Sequence, residues 1–115
     1  MRRGEIWWVN FEPIRGSEAS KICPAVIVSN DGANSAARRR QLGVITVVPL
    51  TTSTTRVLPF QTLVAADSSA LNRDSKAQAE QVRAVDVTRF VEHVGTLTIP
   101  EQQDLDRALR LHLGL

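Results

Sequence analysis

Glu18, in a polar loop, Thr51 and Thr52, after a β-branched run, and the later group Gln78, Glu80, Gln81 and Arg83 are the side chains of this 115-residue sequence best suited to chemistry. A carboxylate accepts a proton, a threonine hydroxyl donates to a charged oxygen, a glutamine amide offers a donor and an acceptor, and an arginine contacts phosphate. Stronger motifs are absent. With no HExxH, P-loop, GxSxG or CxxC pair, metallohydrolase, nucleotide-hydrolase and serine-hydrolase chemistries lack their residues. Each candidate also has an ordinary reading: Glu18 as an exposed loop acid, Thr51 as a strand-end hydroxyl bonding its own backbone, and the later group as a solvated edge. They become a site only if the fold gathers them.

The elements that must do so are short. Residues 5–11 alternate, with Ile6 and Trp8 on one side and Trp7, Val9 and Phe11 on the other, as in a strand covered on both faces. Proline, glycine and serine then predict a loop from about Glu12 to Cys23. Further strands are expected over 24–29, 44–48, 60–64 and 91–97, the last broken by Gly95. A turn or short helical turn is expected at 30–34, and the run Arg38-Arg39-Arg40 reads as a solvated loop. Ala77, Ala79 and Val82 fit a helix over residues 76–83.

Thr98 and Glu101 have capping-box spacing with Pro100 between them, which starts a C-terminal helix. Leu105, Ala108, Leu109 and His112 share its inner face, while Asp106 and Arg110 are spaced to pair on the other. Several short strands and one late helix, with no βα alternation, predict an antiparallel, barrel-like α+β domain spanning 1–115.

Composition narrows the class. At 43% apolar and 23% charged, the chain is that of an ordinary folded domain, too short to divide into two cores. A net charge of +2 is too small to argue polyanion binding from totals, so placement must carry that argument. One cysteine rules out an internal disulfide and gives no zinc spacing. The absence of a signal peptide or spanning segment predicts a cytoplasmic protein with no membrane role.

Four pieces taken in order carry a resemblance: Gly16-Ser17-Glu18 with Pro24, Ser29-Asn30, Pro49-Leu50-Thr51-Thr52, and Ala79-Glu80-Gln81-Val82-Arg83. With the opening Arg3-Gly4-Glu5-Ile6-Trp7-Trp8, the chain resembles the MazF/PemK family of toxin endoribonucleases over nearly its whole length. The resemblance implies an SH3-like barrel (CcdB/MazF/PemK-like) with a terminal helix, a homodimer, and a cognate antitoxin as protein partner. It favours short strands around Gln81 to Val85 over a helix there, and it implies cleavage of single-stranded RNA by the ribose 2'-hydroxyl with no metal or other cofactor. Carried over residue by residue, it gives Glu18 and Thr51 catalytic roles, and Glu80 and Gln81 positions in the RNA site. Lys21 and Arg83 are cations suited to the RNA backbone. Trp7 and Trp8 fit core or subunit contacts better than stacking platforms. The same fold includes CcdB-like toxins that act on gyrase by contact, which is the alternative reading.

One position departs from the family. Arginine usually precedes the loop proline; here Cys23 does. An arginine there would neutralise the transition state and hold the phosphate through a planar fork, and a thiol can do neither. Three accounts fit: divergence with Lys21 as substitute, RNA binding with weak cleavage, or an inactivating substitution.

Overall fold

The computed structural model describes residues 1–12, 16–17 and 22–115. Among these residues seven antiparallel strands form one sheet: β1 (Glu5–Asn10), β2 (Ile22–Ile27), β3 (Val44–Thr51), β4 (Gln61–Val64), β5 (Ser75–Gln78), β6 (Arg83–Asp86) and β7 (Phe90–Thr96). Three helices accompany them: α1 (Asp31–Arg40), the short α2 (Ala66–Ser69) and α3 (Ile99–Leu113). The path is β4-β5-β3-β2-β1-β7, with β6 also on β3.

β3 organises this sheet. Its first half pairs with β6, from Val44 to Val47, and its end pairs with β5 at Leu50 and Thr51. Alternation then gives β3 two cores. Ile45 and Val47 join Val9, Phe11, Cys23, Ala25, Ile27 and Val85 beneath Ala37 of α1, while Val48 and Leu50 join Ile6, Val26, Val64, Ala77 and Leu97 beneath Leu105 of α3. Coverage of both faces explains why β2 and β3 are nearly continuous apolar runs rather than half-polar ones.

α3 begins as its sequence predicts. The Thr98 Oγ1 accepts from the Glu101 amide (3.3 Å) and Glu101 Oε1 accepts from the Thr98 amide (2.9 Å), satisfying orphan donors reciprocally. The other oxygen of Glu101 accepts from the Ala65 amide (2.9 Å), so the cap also fixes the end of β4.

Several expectations are corrected. Of the turn or short helical turn expected at 30–34 the helical form is found, and it continues through the arginine run in place of a loop: Asn30 caps α1 by accepting from the Ala33 amide (2.8 Å), and the three arginines form its last turn. Cys23 is not in the loop but on β2, opposite Val9. Asp106 does not pair with Arg110; its Oδ1 accepts from Arg3 Nη2 at 2.7 Å, because α3 lies beside the start of β1. His112 is exposed near the ring of Phe60 rather than inside. Residues 75–86 are two strands around a 3₁₀ turn, Ala79–Gln81, and no helix. Gly95 does not break β7: it lies within the strand, where a Cβ would meet the Ser69 carbonyl oxygen at 2.1 Å, so glycine admits α2 against the strand.

Candidate functional site

A cleft of about 320 Å³ opens where β1, β2 and the end of β3 approach β5 and the 3₁₀ turn. Its floor and walls come from Trp8, Cys23, Pro24, Leu50, Thr51 and Thr52, with Ser75, Gln78 and Gln81 opposite. Register explains the gathering. Trp8 faces Pro24 across the β1–β2 ladder, and Thr51 faces Lys76 across β3–β5, which brings the β5 residues Ser75 and Gln78 to the end of β3. Pro24 lies beyond the β2–β3 ladder, which runs from Ala25 to Ile27, so a missing N–H is tolerated there.

Cys23, Thr51 and Gln81 are therefore together. Gln81 Nε2 donates to the Ser17 carbonyl (3.1 Å), and this tie sets one wall of the cleft. Ser17 and Ile22 also line it, and they are the described residues that bracket Glu18 and Lys21 in sequence. Glu18 and Lys21 lie outside the described residues.

Glu80 and Arg83 are not brought into the lining. Glu80 Oε2 accepts from Gln61 Nε2 (2.7 Å), and its Oε1 is buried with no hydrogen-bond partner among the described residues. Arg83 lies opposite Val47 on β6 with its guanidinium 5.3 Å from the centroid of the Phe11 ring. Two residues emerge that the sequence left aside. Trp8 is half-buried in the cleft wall rather than in a core, and Ser75 faces it from β5. The alternation of Trp7 and Trp8 was the available signal, since one of two adjacent strand residues must face away from a given core.

The described lining carries no formal charge, and what it offers is hydrogen bonding. Thr51 Oγ1 accepts from the Ser53 amide (3.3 Å), which leaves its own proton to donate outward. Trp8 presents an aromatic face and Gln78 and Gln81 present amides, a set that suits an unstacked base beside a phosphate. Cys23 adds no charge: burial pushes its thiol from an ordinary value of 9.0 up to about 11, so it stays neutral at physiological pH. Because the folded state holds this proton more tightly, stability is expected to fall as pH rises from about 9 to about 11. Iodoacetamide at pH 8, followed by mass spectrometry, should label folded protein on the order of 100-fold more slowly than unfolded protein, following the two-unit loss of thiolate. Equal rates would show a thiol more open than this cleft allows.

The family model for PemK-like, MazF-like toxins of type II toxin–antitoxin systems matches residues 2–113. The chain belongs to that family. Among relatives, the endoribonuclease MazF9 of Mycobacterium tuberculosis is 51% identical over 115 residues, covering 100% of this chain and 98% of that one. The probable endoribonuclease MazF1 of the same organism is 58% identical over 57 residues, which is 50% of this chain and 61% of that protein. Two solved structures share the fold at low identity. MazF from Deinococcus radiodurans superposes with a TM-score of 0.82 at 22% identity, covering 100% of this chain and 97% of its own. An endoribonuclease in complex with its cognate antitoxin, from a mycobacterial species, gives 0.77 at 23%, covering 100% and 96%. The expected barrel with a terminal helix is thus the MazF fold, and the CcdB-like alternative is not favoured. Within this MazF/PemK toxin the cleft is lined by the Thr51 hydroxyl and by the neutral thiol of Cys23.

Proposed function

We propose that the protein is the toxin of a type II toxin–antitoxin pair and a metal-independent endoribonuclease of single-stranded RNA. The observation that carries this is the cleft: in a chain of this family, Thr51, Gln81 and Cys23 meet beside Trp8, although they are far apart in sequence. The ribose 2'-oxygen attacks the adjacent phosphorus while its proton passes to a base, and the bond to the 5'-oxygen breaks as that oxygen takes a proton. The products are a 2',3'-cyclic phosphate and a 5'-hydroxyl. By resemblance, Glu18 is the group that accepts or orients the 2' proton. Thr51 donates to a phosphoryl oxygen, Gln81 reads a base edge, and Lys21 tracks the backbone. Cys23 lowers the rate by leaving the developing charge without a fork of donors.

A cognate antitoxin restrains the protein by occupying the cleft; the relative solved with its antitoxin supports such a partner. The protein acts in the cytoplasm as one domain, residues 1–115, paired with a second copy. Among the described residues no helix is long and apolar enough to cross a membrane. The exposed Leu111, Leu113 and Leu115 at the end of α3 offer apolar surface that association would cover.

Incubation of the protein with a long RNA and a chelator, followed by end-group analysis, tests the reaction. Cyclic phosphate and 5'-hydroxyl ends at fixed sequences are expected. Cleavage that stops on chelation, or yields 5'-phosphate ends, would overturn the 2'-hydroxyl route.

A further inference from the structure

The three arginines of the α1 last turn take no part in the cleft. Arg38, Arg39 and Arg40 are all exposed, and among the described residues none of them stands in an ion pair. The helix C-terminus carries about −0.5 charge, which three guanidinium groups exceed several-fold, so this turn presents net positive charge to solvent. One of the three is also ordered without being neutralised. The Arg38 guanidinium lies 5.6 Å from the centroid of the Trp7 ring, and Trp7 stacks on His93 with centroids 5.3 Å apart and planes at 28°. Trp7 Nε1 donates to Glu5 Oε1 (2.9 Å), which fixes the indole. A cation held on an aromatic face keeps its donors for an incoming anion, whereas one held by a carboxylate does not.

This stack lies behind the cleft. Trp7 and Trp8 are neighbours on β1 and point to opposite faces, Trp8 into the cleft and Trp7 under Arg38. Only β7 lies beyond β1 in the sheet, with His93 opposite Trp7 and Glu92 opposite Trp8. A strand leaving the cleft around this edge would arrive at α1.

We propose that the Arg38–Arg40 turn is a second site, which holds the phosphate backbone of substrate single-stranded RNA as it passes from the cleft around the β7 edge. The proposal rests on the endoribonuclease reading and adds to it a preference for long over short RNA. Nothing in the turn reads bases, so its contribution is independent of sequence and sensitive to salt.

The test compares the protein with its triple Arg38→Gln, Arg39→Gln, Arg40→Gln variant and the corresponding triple lysine variant. Binding of a long single-stranded RNA and of a short oligonucleotide that fills only the cleft is followed by fluorescence anisotropy across a salt series. At about 0.7 per phosphate contact, the glutamine variant should lower the slope of log K against log salt by about 2 for the long RNA. Its affinity there should fall on the order of 10-fold to 100-fold near 0.1 M salt. Binding of the short oligonucleotide should not change, and the lysine variant should keep both the long-RNA affinity and the slope. Circular dichroism guards against loss of α1, for which glutamine and lysine are both good helix formers.

Unchanged long-RNA binding in the glutamine variant would overturn the proposal, as would an equal loss for both RNAs. So would a variant that loses only its binding to anionic lipid vesicles. If the unaltered protein binds neither RNA, the endoribonuclease reading falls and the second site falls with it. Binding of both RNAs with no effect of the arginines sinks the second site alone.

Discussion

Cys23→Arg is expected to raise chelator-resistant RNA cleavage by on the order of 10²–10³-fold, the usual contribution of one electrostatic donor to a transition state. The cleft explains why the gain should be large. Its described lining has no formal charge, and burial keeps the Cys23 thiol neutral, so the cysteine neither repels the phosphate nor stabilises charge growing on it. An arginine on β2 would extend from beside Val9 toward Thr51, and its fork would supply two parallel donors to the phosphoryl oxygens. Arg83, whose guanidinium lies over Phe11, is not among the described lining residues. Crowding near Val9 is expected to cost about 1–3 kcal/mol of stability, so rates are to be compared well below the melting temperature.

A second substitution separates chemistry from binding. In the Cys23→Arg background, Thr51→Val should lower kcat while leaving the affinity for short RNA nearly unchanged, whereas Thr51→Ser should retain most activity because it keeps the hydroxyl. Equal cleavage by the unaltered protein and its Cys23→Arg variant, measured at saturating RNA, would sink the electrostatic account of this position.

Periodicity and caps made the strands and α3 legible before the fold was known, and the physical reasons are visible in single residues. In the β-branched run at 44–48, Ile45, Val47 and Val48 are fully buried while Val44 is exposed, and Thr98 with Glu101 forms the reciprocal cap that its spacing required. α1 was not legible because only Asn34 and Ala37 are buried along it, leaving no apolar period to read. Its signal was a single cap, Asn30. Thr62 is buried because its hydroxyl donates to Asp104 Oδ2 (2.8 Å), a long-range contact that no local pattern encodes. The cleft was readable only through resemblance, since its parts come from four strands and a 3₁₀ turn. Glu80 is not among the described lining residues, and its hydrogen bond to Gln61 on β4 is a long-range contact that the sequence does not display.

Leu105→Ala is expected to cost about 2–5 kcal/mol of folding stability, the range for emptying a well-packed core site. For a domain of this size that lowers the melting temperature by about 10–20 °C. Leu105 is 1% exposed and joins α3 to Ile6, Val26, Val48, Leu50 and Val64, so the cavity would open between helix and sheet where backbone ladders limit collapse. Asp106→Ala, one position away, provides the contrast. Its ion pair with Arg3 is short, but the two side chains are 34% and 32% exposed, and a pair so open to water contributes about 0–1 kcal/mol. Calorimetry of both variants would decide between burial and charge as what holds α3 down; equal losses would mean that the ion pair matters more than its exposure allows. The outcome also bears on the cleft, because Leu50 lies in this core and in the cleft wall, immediately before Thr51. Below its lowered melting temperature the Leu105→Ala protein should still bind short RNA, since β3 remains paired with β2 and β5; binding lost well below that temperature would show that α3 positions Thr51 directly.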